Sequence, residues 1–274
     1  MIETRLGRRP LMLLIILLSM FGPISTDMYL SGLPVMISDF GTSESVLNMS
    51  LYLFMLVLAF GILILGPLAD KYGRRKVLSA SLAVYALANI ACCFTDDVRI
   101  FIALRMIQAA GGGGALTAAF ALIKDCFTGN DMRSVLSVTA AIGILGPILA
   151  PVIGTLLIGI GGWRATFWFP AGTALFCLFL GYFLPAALPF ERYAGSIAGT
   201  FSRLGAVAAN RSFLLFMLMM CTFTGSQLAY ISVSSYVYQD GFGLSAAEYS
   251  LVLASACIAG LAIARIEEHR KVSP

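Results

Sequence analysis

Eight stretches of this chain are long, continuous and apolar: 11–37, 46–68, 77–95, 98–123, 134–159, 165–187, 212–238 and 248–264, the last being the shortest. The hydrocarbon core of a bilayer, about 30 Å thick, is crossed by a helix of about 20 apolar residues. In hydrocarbon every backbone polar group must be satisfied within the structure, which leaves helices and closed barrels. The runs lack the period-two alternation of a barrel strand, so the fold class is an all-α polytopic membrane protein. Composition agrees. Of 274 residues 59% are apolar and 12% charged, where a soluble domain carries about 25% charged. Mean hydropathy is +0.91. A soluble enzyme, a nucleic-acid-binding module and a disordered chain are excluded.

The net charge of +4 reads as topology. With the N-terminus inside, the inner segments hold Arg5, Arg8, Arg9, Lys71, Arg74, Arg75, Lys76, Lys124, Arg133, Arg192, Arg203, Arg211, Arg265, Arg270 and Lys271. The outer segments hold only Arg99 and Arg164. Cytoplasmic loops are rich in Lys and Arg, so both termini are expected to be cytoplasmic. Connections are short except 188–211, which reads as a cytoplasmic linker. It divides a six-helix part, 1–187, from a second part, 212–274, of about two helices and a short tail. Such a count fits carriers that nest three-plus-three repeats inside each six-helix half. The six cysteines (Cys92, Cys93, Cys126, Cys177, Cys221, Cys257) form no CxxC, and the single histidine is His269. A disulfide framework or zinc site is not expected, and the cysteines read as small packing residues.

Two ionisable residues sit well inside helices: Asp27 in the first run and Arg105 in the fourth. A charge at that depth costs about 2.5–3.5 kcal/mol on insertion scales and signals function by default. At 1.5 Å per residue Asp27 lies about 5 Å, and Arg105 about 9 Å, to the outer side of its run's centre. The two depths nearly match. One reading is a structural ion pair, or an early end to the first helix at Pro23. The other is a carboxyl in a partly dehydrated cavity that takes up and releases a proton as access alternates.

Ordered motifs follow. Between the second and third runs stands Gly66-Pro-Leu-Ala-Asp70-Lys-Tyr-Gly73-Arg74-Arg75-Lys76, an ordered spacing of glycine, acid and bases. The bases can pair with acids on neighbouring helices. The fourth run holds Arg105-Met-Ile-Gln108-Ala109-Ala-Gly111, and the fifth Gly146-Pro147-Ile-Leu-Ala150-Pro151-Val-Ile-Gly154-Thr155. The first holds Ser25-Thr-Asp27-Met28-Tyr29-Leu30 before Leu33-Pro34, and Gly162-Trp163-Arg164 precedes Phe167-Trp168-Phe169. The loop resembles the signature between helices two and three of the major facilitator superfamily. The fourth-run string resembles its R-x-x-Q-G-x-G motif, with Ala109 for a glycine. The fifth is similar to the antiporter motif G-x-x-x-G-P-x-x-G-G, with Ala150 and Thr155 for glycines. The first-run string and the Gly-Trp-Arg segment resemble the Bcr/CflA drug exporters.

That resemblance implies a major-facilitator fold: a complete six-helix N-terminal half plus about two helices of the C-terminal half. It implies an inner-membrane exporter exchanging a small molecule, such as a chloramphenicol-type drug, for protons. No cofactor is implied; the proton gradient is the energy source. Asp27 becomes a candidate coupling acid, with Arg105 a cavity cation. Gln108 and Tyr29 could line the cavity, though packing or interface anchoring is the favoured reading for Tyr29, Tyr52 and Tyr230. Gly146, Pro147, Pro151 and Gly154 would kink and pack the fifth helix. Asp70 and Arg74 would steady the outward-facing state against the other half. Two departures stand out. Ser31 occupies a position where the group usually has proline. The superfamily's usual twelve helices are also not reached, so the chain is expected to be a shortened transporter that gives no coupled export by itself. Export of a metabolite such as a nucleoside or sugar, and a non-transporting membrane fragment, stay open as alternatives. An intramembrane enzyme is disfavoured, because no helix carries a zinc-binding set, an aspartate pair or a serine with its base. The Gly111–Gly114 run has no P-loop context and reads as close helix packing.

Overall fold

A computed structural model describes residues 7–185, 205 and 209–255. Within them the chain is helical. Most of the linker 188–211, the eighth run beyond 255, Cys257 and the tail 265–274 lie outside the described residues. The spans are Arg8–Phe40, Glu44–Tyr72, Arg74–Phe94, Val98–Cys126, Gly129–Gly161, Ala165–Tyr182 and Arg211–Gly241. An eighth helix begins at residue 246 and continues to 255. Among the described residues six helices are long and apolar enough to cross a membrane, or seven with the bent fifth span.

Local chemistry sets the boundaries. Ser43 caps the second span by accepting from the Val46 N–H, and Asp97 caps the fourth by accepting from Arg99 N–H at 2.6 Å. Such caps satisfy donors that a helix start leaves unpaired. The second and third spans are joined by Gly73 alone, at φ 100°, where a side chain would strain the backbone.

The first span is discontinuous. Helices Arg8–Ser19 and Phe21–Thr26 are followed by a 3-10 turn, Leu30–Gly32, and a last helix, Leu33–Phe40. Pro23 withholds one N–H from the ladder, and regular helix resumes only at Leu33. The fifth span holds Pro147 and Pro151, and its parts Gly129–Pro147 and Leu149–Gly161 meet at 49°. The kink expected of that motif is present.

The fourth span packs between the second and third, and its glycines explain how. A Cβ on Gly111 would stand 2.6 Å from the Ser81 carbonyl oxygen and 2.7 Å from the Tyr85 nitrogen. One on Gly113 would stand 2.9 Å from Gly61 Cα. The glycine run therefore lets the backbones approach. In open helix Gly→Ala stabilises by roughly 1 kcal/mol; here the sign reverses. Gly111→Ala should cost about 1–3 kcal/mol through overpacking, and Gly172→Ala, whose Cβ meets nothing within 4 Å, should not. Thermal unfolding of the two variants in one detergent checks this.

Charged contacts sort by bundle end. At one end Arg8 pairs with Asp131 at 2.7 Å, and Arg75 donates to the Leu184 carbonyl at 3.3 Å. At the other, Arg164 pairs with Asp96 at 2.5 Å, and the Trp163 indole donates to Asp39 at 2.8 Å. The alternation read from the basic residues matches the helix order.

Candidate functional site

The break in the first span sets Asp27 among buried groups. Its side chain is 7% exposed, and the Thr26 hydroxyl donates to Oδ1 at 2.9 Å. Arg105 enters from the fourth span, fully buried. The suspected ion pair does not form: among the described residues Asp27 has no ion-pair partner within 4 Å. The guanidinium goes elsewhere. Nη1 donates to Gln108 Oε1 at 2.6 Å, and Nη2 to the Ser25 carbonyl at 2.8 Å. Nε has no partner. Its faces meet rings, with centroids at 4.2 Å for Phe54 and 4.7 Å for Tyr29. Desolvated cation–π contacts of this kind contribute up to about 2 kcal/mol each.

The reason lies in the break. Distortion after Thr26 leaves first-span carbonyls poorly served by the helix ladder, and a buried C=O needs a donor. Arg105 serves the Ser25 carbonyl, two residues before Asp27. Gln108, one turn along the same face, fixes the fork. Its Nε2 donates to Asn89 Oδ1 at 2.9 Å, Asn89 Nδ2 donates to the Tyr85 carbonyl at 2.8 Å, and the Tyr85 hydroxyl meets Ser25 Oγ at 2.6 Å. Three spans are tied by one polar network closing on Ser25. The sequence motifs name Arg105, Gln108 and Ser25, the last without its role, and do not reach Tyr85, Asn89 or Phe54. Asn89 carried a usable signal, as the only amide in the run 77–95.

Tyr29 is buried, its ring under the guanidinium and its hydroxyl 3.4 Å from Ser50 Oγ. It belongs to the wall of the network. Tyr52 is half exposed, and its hydroxyl donates to Ser232 Oγ on the seventh span at 3.1 Å. Tyr230 is exposed.

The loop motif is mostly helical, since the second span runs to Tyr72. Gly66 seats that span against Thr117, 3.4 Å from where its Cβ would be. Asp70 forms an ion pair with Arg74, and Arg74 Nε donates to Asp125 of the fourth span at 3.0 Å. Among the described residues the ion-pair partner of Asp70 thus lies in its own half, whereas the sequence reading had sent it to the other. Arg75 caps the sixth helix and lies over the Tyr182 ring at 4.9 Å. Asp125 was missed. Asp125→Ala should cost about 1.5–3 kcal/mol, the worth of a hydrogen bond to a charged group, read as a lower unfolding temperature that Asp125→Glu partly restores.

The antiporter motif packs the bent fifth span on the break. A Cβ on Gly146 would stand 2.7 Å from Pro23 Cγ, and one on Gly154 would overlap the Met28 carbonyl oxygen. Beside these contacts lies an apolar cavity of about 140 Å³, lined by Met20, Pro23, Met28 and Phe169 among others.

A discontinuous first span, a buried acid at its break, a buried arginine bonded to that break and a kinked fifth span define a polytopic helical membrane bundle. The Major Facilitator Superfamily profile matches residues 15–270, and the chain belongs to that family. It is 31% identical over 260 residues to the uncharacterized MFS-type transporter YdgK of Bacillus subtilis (strain 168), covering 93% of this chain and 64% of the relative. It is 29% identical over 233 residues to the multidrug resistance protein MdtL of Shigella dysenteriae serotype 1 (strain Sd197), covering 85% and 59%. The chain thus spans about six-tenths of the length of the curated relatives it matches. The fold is similar to that of a bacterial homolog of the human lysosomal transporter Spinster (TM-score 0.73, 18% identity, 92% of this chain and 61% of that one). It is also similar to that of a D-xylose-proton symporter (TM-score 0.61, 18% identity, 95% and 68%). The major-facilitator fold expected from the motifs is the observed one.

Proposed function

We propose that the chain supplies the first six-helix half, 1–187, and the opening helices of the second half of a proton-coupled efflux carrier. Its transport would be drug:proton antiport in a bacterial inner membrane, with both termini cytoplasmic, of the Bcr/CflA type named by the first-span and Gly-Trp-Arg strings. The substrate is a small molecule and the energy source the proton gradient; no nucleic acid takes part. The likeness to MdtL, a multidrug resistance protein, supports the substrate class.

One observation carries the reading. Asp27 is a buried carboxyl, at a helix break, with no cation pinned to it among the described residues. Arg105 stands in the same region with its hydrogen bonds committed to Ser25 and Gln108. A carboxylate held in an ion pair resists protonation, whereas one without a fixed counter-ion exchanges its proton when access changes. Intramembrane acids of this kind mark proton relays.

The test uses proteoliposomes in which a second half is supplied, by fusion or co-reconstitution. Adding a chloramphenicol-type drug under an imposed pH gradient should produce coupled proton movement and uphill drug accumulation. The 274-residue chain alone should give neither, because alternating access needs two halves. Accumulation of a nucleoside or sugar in place of the drug moves the substrate assignment. Uphill transport with no proton movement removes the coupling assignment.

A further inference from the structure

Two of the positions where this chain departs from the motifs it resembles, Ser31 and Thr155, meet at one hydroxyl. Ser31 stands where the group usually has proline, on the 3-10 turn of the first span; Thr155 stands for a glycine at the end of the fifth-span motif. Ser31 Oγ lies 3.1 Å, and Thr155 Oγ1 2.7 Å, from Ser250 Oγ on the eighth helix. Ser250 Oγ also reaches the carbonyls of Ala246 at 2.9 Å and Pro151 at 3.2 Å. A hydroxyl has one proton to give and two lone pairs to fill. Ser250 Oγ has the capacity to accept from both hydroxyls while donating to a carbonyl; Thr155 Oγ1 also reaches the Ala246 carbonyl at 3.2 Å, and Ser250 is 2% exposed. Proline has no hydroxyl to offer at position 31, and glycine none at 155.

We infer that Ser31, Thr155 and Ser250 form a latch that holds the two parts of the bundle together at one end. Their joint supports this. Ser235 Oγ donates to the Leu30 carbonyl at 2.8 Å, Gln239 to the Ser31 carbonyl at 3.3 Å and Asn48 to the Ser232 carbonyl at 3.3 Å. These bonds lie at the bundle end away from the Arg74–Asp125 pair. Toward the other end the seventh span is exposed along most of 211–230. No ion pair crosses the joint among the described residues. Neutral hydroxyl contacts are individually weak and exchange readily with water, which suits a closure that must reopen. The packing that brings the latch together is the contact of Gly154 with Met28, next in sequence to Thr155. The inference rests on the fold and not on proton coupling or on the substrate.

The test reads opening directly. The full chain is placed in lipid nanodiscs, so that both faces meet the reagent, with Cys221 and Cys257 replaced by serine. Ser234→Cys, at a residue 3% exposed in the joint, reports access to a water-soluble maleimide. Ser250→Ala should speed labelling roughly tenfold, as the loss of two neutral hydrogen bonds implies. Ser31→Pro and Thr155→Gly should each give part of that, and Ser31→Ala added to Ser250→Ala should give nothing more, because both bonds end on Ser250. Ser31→Thr, which keeps the hydroxyl, should label slowly. With the reporter absent, oxidation of a Ser31→Cys, Ser250→Cys pair should produce a disulfide. Labelling of Ser250→Ala at the unaltered rate, additivity of the Ser31 and Ser250 changes, or a pair that will not oxidise would each overturn the latch.

Discussion

Asp27→Asn, introduced into a carrier with both halves, is expected to abolish uphill export and drug-driven proton movement while leaving drug binding largely intact. Asparagine keeps the size of the side chain and can still accept from the Thr26 hydroxyl, so the break in the first span should survive. What it loses is the titratable proton. The expected loss is complete for accumulation against a gradient and small for thermal stability, under about 1 kcal/mol for one partly retained hydrogen bond. Paired measurements of drug accumulation and unfolding temperature separate the two. Export by Asp27→Asn with an unchanged dependence on the pH gradient would make Asp27 a structural residue. Asp27→Glu, which keeps the proton and lengthens the side chain, should retain weak coupling.

Arg105 carries the second large effect, and it is a structural one first. Arg105→Ala removes the donor to the Ser25 carbonyl, strands Gln108 and empties the space between Phe54 and Tyr29. Two hydrogen bonds from a charged donor are lost, each worth about 1.5–3 kcal/mol, which should lower the unfolding temperature sharply. Arg105→Lys should recover only part of it. An ammonium is compact and cannot bond Gln108 and the Ser25 carbonyl at once while lying flat between two rings. A double-mutant cycle with Asp27→Asn distinguishes this account from an ion pair. If the two residues were paired, neutralising Asp27 would relieve the acid stranded by Arg105→Ala and the losses would fall below additivity. With the bonds observed, the two losses should add to within about 0.5 kcal/mol. Asn89→Ala should resemble a weaker Arg105→Ala, since Asn89 is what holds Gln108.

Much of this was open to reading from the chain because the bilayer leaves few choices. Hydrocarbon forces helices, run lengths place them, and the asymmetry of Lys and Arg orders their ends, so seven of the eight runs return as spans with ends shifted by a few residues. Glycines also announced themselves: Gly111, Gly113 and Gly154 are bare where another backbone passes. Other features depended on tertiary contacts. Matching depths pointed to a pairing of Asp27 with Arg105, but depth along two helices says nothing of their rotation about their axes. The Ser25 carbonyl, exposed by the break, competes successfully for the guanidinium because it sits within reach in the right plane. Backbone acceptors leave no mark in a sequence, so the destination of Arg105 was not legible there. The same holds for Asp125 and Ser250. Each is an ordinary residue until two helices, the third with the fourth and the fifth with the eighth, bring a partner to it. The membrane's solvent physics is local and one-dimensional and so is written in the sequence; hydrogen-bond partnership across helices depends on rotation and approach, which only packing in three dimensions decides.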